Sequence, residues 1–286
     1  MDPSEISRAA PRPADAGAGR GPASGDLPLA EGVRRQVDYW MVVVRRTWKG
    51  SVVSSFLSPL LYVVAMGVVL GGFIAGDPET LEGADSYLAF VVPGLIAAHA
   101  MQTAVSETTY PVMGMIKWQR VYDSMLATPL QVQHVVAAHL GFVAVRLATT
   151  CAVYNLVLAP FGVFATWWGA IAAFLAQVLV GMCFATLVYG VSARLRSEEG
   201  FGVMFRLGVF PLFLFSGAFF PVSNLGEAGA WAARLTPLWQ GVNLSRMFAL
   251  DHVTWWLAGV NTLVLLVLCV LGWFWSVSGL RRRMVS

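Results

Sequence analysis

The sequence predicts an all-α integral membrane protein with six transmembrane helices, and three observations support that fold class. The 286-residue chain is 57% hydrophobic and only 12% charged, with a mean hydropathy of +0.66, far from the composition of a soluble domain of that length. Six apolar segments are each about 20 residues or longer, enough to cross a ~30 Å hydrocarbon layer as a helix. Lys and Arg collect on alternate connections between these segments rather than on all of them, as the positive-inside rule requires.

Taken in order, residues 1–33 carry Pro3, Pro11, Pro13, Pro22 and Pro28 among many Gly, Ala and Ser, and read as a disordered cytoplasmic tail. The tail has no apolar core of the kind a cleaved signal needs, so the first span is expected to direct insertion. Residues 34–286 form the membrane domain. Arg34–Lys49 places Val37, Trp40, Met41, Val44 and Trp48 at helical spacing between basic ends, the pattern of an interfacial helix on the inner leaflet. The spans follow over Val52–Ile74, Tyr87–Ser106, Val135–Pro160, Trp167–Ala193, Phe201–Phe220 and Trp255–Ser278. In the first of them, Gly67 and Gly71 have the GxxxG spacing that lets helices pack closely.

Two connections have structure of their own. Lys117–Gln131 alternates polar and apolar residues at a helical period until Thr128-Pro129 stops it, which predicts a short cytoplasmic helix held between the second and third spans. After the fifth span, Leu225, Ala228, Trp231, Ala232 and Leu235 share one face, and Pro237 opens a second run with Leu238, Val242, Leu244 and Phe248. Neither run is long enough to span, so the pair reads as an extracellular hairpin that re-enters the outer leaflet, its free backbone groups covered by protein or water.

Orientation comes from the basic residues. Arg34, Arg35, Arg45, Arg46 and Lys49 precede the first span, Lys117 and Arg120 follow the second, Arg194 and Arg196 the fourth, and Arg281, Arg282 and Arg283 the sixth. The other side carries Asp77, Glu79, Glu82 and Asp85 in one loop and mixed charge after Pro221. Both termini of this multi-pass membrane protein are therefore expected in the cytoplasm. Tryptophans mark the same boundaries: Trp40, Trp48, Trp118, Trp273 and Trp275 at inner ends, and Trp167, Trp168, Trp231, Trp239, Trp255 and Trp256 at outer ends.

The candidate functional residues inside the spans are the ionisable ones, which are costly in hydrocarbon. Glu107, near the inner boundary, and Arg146, about a third of the way along the third span, are expected to approach each other as an ion pair or a gating pair. Arg206, early in the fifth span, is expected to snorkel inward. His99, Gln102, Asn155 and Gln177 read as interhelical hydrogen bonders. No grouping of His, Asp or Glu offers a nucleophile with its base, paired carboxylates or a metal triad, which argues against an enzyme. Cys151, Cys183 and Cys269 lie in apolar runs without disulfide or metal spacing. The net charge of +3 sits in short clusters between spans, so it expresses membrane topology rather than a nucleic-acid surface.

Five motifs make the resemblance specific: YLAFVVPGL (87–95), SETTY (106–110), MLATPL (125–130), LFSGAFFPVSNL (214–225) and TPLWQGVNLSR (236–246). In this order and spacing they resemble type-2 ATP-binding-cassette (ABC) exporter permeases, especially the branch of nodulation-factor lipo-oligosaccharide and daunorubicin-type permeases. The resemblance runs from about Val33 to the carboxyl end. It implies a pair of six-helix permease subunits, identical or related, above two separate ABC ATPase subunits. It makes Lys117–Ser124 the coupling helix, with Lys117, Trp118, Arg120, Val121, Tyr122, Asp123 and Ser124 meeting a cleft of the ATPase and the Arg34–Lys49 helix beside it. At the far side, Phe219, Phe220 and Pro221 are expected to close the pathway from outside. Two positions depart from the family pattern: Gly226 stands where Pro is common, and Gln240 where His is common. A phosphate-binding loop needs Gly-rich backbone and a Lys, and neither Lys49 nor Lys117 follows one. No cofactor is expected in this chain, with ATP and Mg bound by the partner ATPase. The expected activity is export of an amphipathic glycolipid, lipo-oligosaccharide or hydrophobic drug among membrane lipids. The rival is an ion-coupled secondary or multidrug transporter, which requires a carboxylate deep in a span, whereas Glu107 lies near an edge.

Overall fold

A computed structural model of the chain describes residues 28–36, 40–42, 61, 83–84 and 86–284. The first predicted span, with Gly67 and Gly71, most of the 1–33 tail and much of Arg34–Lys49 lie outside the described residues. In chain order the helices are α1 (Tyr87–Thr108), α2 (Tyr110–Met113), α3 (Val121–Leu126), α4 (Val132–Leu158), α5 (Trp167–Arg194), α6 (Glu199–Val203), α7 (Phe210–Phe215), α8 (Gly226–Arg234), α9 (Pro237–Ala249) and α10 (Trp255–Met284). Wider π-helical turns occupy Gly114–Trp118 and Met204–Val209. All regular structure among the described residues is helical, and four segments are long and apolar enough to cross a membrane: Tyr87–Trp118, Val132–Phe161, Trp167–Arg194 and Trp255–Met284.

Helix α5 is the centre of the bundle, packed against α10, α1, α9 and α4. Hydrocarbon supplies no hydrophobic drive between helices, so close backbone approach matters and small residues make it possible. Gly181 of α5 faces Leu147 of α4 and Ala100 of α1, where an added Cβ would come within 2.9 Å of Leu147. A Cβ at Gly272 of α10 would lie 2.5 Å from Thr186 Oγ1, and one turn on Ser276 Oγ donates to the Thr186 carbonyl at 2.7 Å. Ser86 and Thr166 cap α1 and α5 by accepting from the Ala89 and Gly169 amides at 3.1 and 3.2 Å.

The basic residues gather at one end of the bundle. Arg194 Nη1 donates to the Gly190 and Trp275 carbonyls at 2.9 and 2.7 Å, and Arg283 Nη1 donates to the Leu195 carbonyl at 2.6 Å. These cations satisfy carbonyls at the C-terminus of α5 and complement its dipole. Near the amino terminus, helix begins at residue 29 rather than at the predicted Arg34. Glu31 pairs there with Arg34 and Arg35 at 3.3 and 3.2 Å, one turn apart, and these hold its carboxyl below the ordinary range, Arg35 most strongly. Trp40, predicted on an interfacial face, is instead buried, stacked on Phe142 of α4 at 4.5 Å.

The fifth predicted span is shorter than the sequence suggests, since continuous helix covers 199–215 and stops before Phe220. Pro211 removes a ladder donor, and the register widens to π over the preceding turn. The chain then turns at Gly217, whose φ of +80 suits a residue without Cβ. At this opposite end α8 and α9 form a helical hairpin, with α9 lying on α1, α5 and α10. Gly241 of α9 rests on Val180, midway along α5, and Gly169 near the start of α5 meets the Phe248 carbonyl. Trp239, on the mid-bundle side of Gly241, therefore sits deeper than the outer level assigned from its residue type.

Candidate functional site at the basic end

Helix α1 does not end smoothly. Thr108 and Thr109 donate their hydroxyls back to the Ala104 and Val105 carbonyls at 2.7 and 2.9 Å, a pattern that bends helices, and Pro111 follows. Thr109 leaves helical geometry at φ −94, ψ −96, α2 restarts the helix, and the π turn Gly114–Trp118 ends it. The stretch predicted as one helix over Lys117–Ser124 is thus two pieces. Lys117 and Trp118 close the π turn, Arg120 takes a left-handed φ of 50, and α3 starts at Val121.

Of the predicted coupling residues, Lys117, Trp118, Arg120, Asp123 and Ser124 are exposed and Val121 is half-buried. Lys117 Nζ reaches Glu198 Oε1 of the α5–α6 connection at 3.3 Å. Tyr122 is different, being 0% exposed and the only buried residue of α3. Its hydroxyl lies 2.8 Å from Nδ1 of His139 on α4 and accepts from the Tyr189 hydroxyl of α5 at 3.1 Å. On the other side of the ring, His139 Nε2 lies 3.2 Å from the Glu107 carbonyl, in the last turn of α1. Trp40 and Tyr189 meet the imidazole edge-on, with ring centroids 4.9 and 5.4 Å away. Four other segments of the chain converge on this one histidine of α4.

Glu107 and Arg146 come together, with Oε1 and Nε 3.0 Å apart and both side chains partly exposed. The pair ties α1 to α4 just beside the histidine. Arg206 stands exposed on the π turn Met204–Val209, with no ion pair among the described residues. At the opposite end, Phe219 and Phe220 are half-buried and Pro221 is buried. Phe219 meets Phe213 edge-on at 5.0 Å, and its carbonyl accepts from the Tyr87 hydroxyl at 3.0 Å. The lone polar residues act between helices: Asn155 Nδ2 donates to Gln177 Oε1 at 2.6 Å, and His99 stacks on Tyr154 at 4.7 Å.

Sequence reasoning passed over His139, Tyr189 and Arg246. His139 is ionisable and inside a predicted span, the property that singled out Glu107, so the same rule applies to it. Arg246 closes the TPLWQGVNLSR motif, and by position alone it belongs to the mixed charge after Pro221. It is 5% exposed, donates through Nε to the Phe90 carbonyl at 3.0 Å and through Nη2 to the Gly217 carbonyl at 2.7 Å, and lies 3.8 Å above the Phe90 ring. Nothing in the local sequence of Tyr189 distinguishes it from a packing residue.

The profile of the ABC-2 type transporter family matches residues 38–250. Nodulation protein J of Rhizobium leguminosarum bv. trifolii is 32% identical over 254 residues, covering 86% of this chain and 94% of that protein. The protein of the same name from Sinorhizobium fredii (strain NBRC 101917 / NGR234) is 30% identical over 250 residues, with the same 86% and 94% coverage. The inner membrane transport permease YadH of Escherichia coli (strain K12) is 25% identical over 201 residues, 69% of this chain and 71% of the permease. No solved structure matches the chain.

Proposed function

The chain belongs to the ABC-2 type transporter family, and on that premise we propose that it is the permease subunit of an ATP-driven exporter of an amphipathic molecule. The observation that carries this reading is α3: a short turn at the basic end with an exposed polar face, fastened to the membrane helices by buried Tyr122 and by half-buried Val121, Met125 and Leu126. Two ABC ATPase subunits dock there, on Trp118, Arg120, Asp123 and Ser124, and bind the ATP and Mg that this chain does not. Displacement of α3 then moves the helices above it. The basic end is cytoplasmic, both termini lie on that side, and the membrane is the bacterial inner membrane. A second permease subunit, identical or related, completes the pathway.

In this reading six spans cross the bilayer. Residues 52–74 supply the first, the four long helices supply four more, and the helix over 199–215 supplies a short fifth. The α8–α9 hairpin is re-entrant, which the contact of Gly241 with mid-α5 supports, and Phe219, Phe220 and Pro221 close the outer side. An apolar groove of 630 Å³ between 207–216 and α8, lined by Leu207, Pro211, Leu212, Phe215 and Leu225, offers a surface to the apolar part of a glycolipid, lipo-oligosaccharide or drug. The test is purification of the chain after mild solubilisation, followed by transport assays in vesicles. An ATPase subunit should co-purify and transport should stop without ATP; transport that persists without ATP or any ATPase subunit overturns the proposal.

A further inference from the structure

We infer that Tyr189, Tyr122 and His139 form a one-directional hydrogen-bond latch that carries displacement of α3 to the break at the end of α1, with His139 as its positioning residue. The inference rests on the exporter reading, because it supplies the path by which an ATPase at α3 moves the membrane helices.

The direction follows from which atoms can donate. The Glu107 carbonyl only accepts, so the contact at 3.2 Å places the proton of His139 on Nε2. The neutral ring then presents a lone pair at Nδ1, and the Tyr122 hydroxyl must donate into it across 2.8 Å. With its proton so used, the Tyr122 oxygen is left to accept, and Tyr189 donates to it at 3.1 Å. The chain Tyr189 to Tyr122 to His139 to the Glu107 carbonyl thus has one donor and one acceptor at each link. Tyr122 and Tyr189 are 0% exposed and His139 1%, so water cannot replace a lost partner. The edge-on rings of Trp40 and Tyr189 oppose rotation of the imidazole, so a shift of Tyr122 is passed on rather than absorbed.

The latch ends where the backbone can yield. Glu107 lies two residues before Thr109, which leaves helical geometry, and the π turn Gly114–Trp118 follows. Glu107 is gripped by α4 twice: its carbonyl by His139 and its carboxylate by Arg146, which stands two turns along the same helix face. Half-buried Val121, Met125 and Leu126 also pack on the core, but Tyr122 is the one fully buried side chain of α3, and it connects to the point where α1 bends.

The test uses the permease with its co-purified ATPase in lipid nanodiscs, and hydrogen exchange with and without ATP plus vanadate. His139→Phe keeps ring volume and edge contacts but removes both nitrogens, His139→Gln restores a donor and an acceptor, and Tyr122→Phe removes a single hydroxyl should His139→Phe fail to assemble. In the wild-type complex, trapping should alter exchange in α3 and across 104–118. In His139→Phe and Tyr122→Phe the response of α3 should persist while that at 104–118 falls roughly fivefold, the scale of one net hydrogen bond. ATP hydrolysis should continue, and His139→Gln should recover most of the response. An undiminished response at 104–118 in both deletion variants overturns the latch. A wild-type chain that binds no ATPase overturns the exporter reading and the latch with it, and is recognised because no variant then responds to nucleotide.

Discussion

The two ends of the bundle are held by opposite means. At the far end α9 buries Leu238, Gly241, Val242, Leu244, Ser245, Arg246, Met247 and Ala249 against α1, α5 and α10. At the basic end α3 fully buries Tyr122 alone, half-buries Val121, Met125 and Leu126, and leaves Asp123 and Ser124 exposed. Packed interiors transmit strain but resist rearrangement, whereas a turn with one anchor shifts as a unit while keeping its connection. On the proposed reading the hairpin stays in place and α3 is the part that moves.

Substitutions should separate the two ends, and the largest effect is expected at Arg246. Arg246→Met keeps much of the stem but withdraws charged donors from the Phe90 and Gly217 carbonyls in a buried site. Hydrogen bonds to charged groups are worth about 1.5–3 kcal/mol each, so the expected loss is about 3 kcal/mol or more, read as a lower Tm in detergent and new protease cleavage within 216–236. Gly241→Ala comes next. Its Cβ would lie 2.6 Å from Val180, and overpacking of this kind costs about 1–3 kcal/mol, also read by Tm.

At the basic end the order of readouts reverses. Arg120→Glu and Asp123→Lys change exposed residues, so stability should stay within about 0.5 kcal/mol of wild type, read as a nearly unchanged Tm, while recovery of the ATPase in a pull-down drops severalfold. Glu107→Gln should have only a small effect on stability. The pair with Arg146 is partly exposed and worth about 1 kcal/mol or less, so a modest Tm decrease that shrinks with added salt is expected.

The same contrast explains what could be read in the sequence. Helices long enough to span appear where the second, third, fourth and sixth apolar runs predicted them, because length and hydropathy are local properties. The contact of Glu107 with Arg146 was also legible, since depth along a helix follows from residue count. The division of the coupling stretch at Arg120 was not, because Arg is neither Gly nor Asn and its sequence gives no sign of a left-handed backbone. Nor was the burial of Tyr122, which looks amphipathic in sequence but points at a histidine seventeen positions away. The shortened fifth helix had a local sign in Pro211, but the π register that accommodates it depends on the neighbours. Arg246 was hidden by convention: charge after a span reads as loop, and only the fold shows the Phe90 carbonyl above it.

The central claim, that the ATPase engages the turn with one anchor and not the packed hairpin, can be tested by photo-crosslinking in native membranes. A benzophenone amino acid placed at exposed Ser124 is compared with one at exposed Ser223 on the opposite end. The Ser124 probe should capture an ATPase subunit, with the yield changing on nucleotide trapping, and the Ser223 probe should capture none. No capture from Ser124, or equal capture from both positions, would contradict the account.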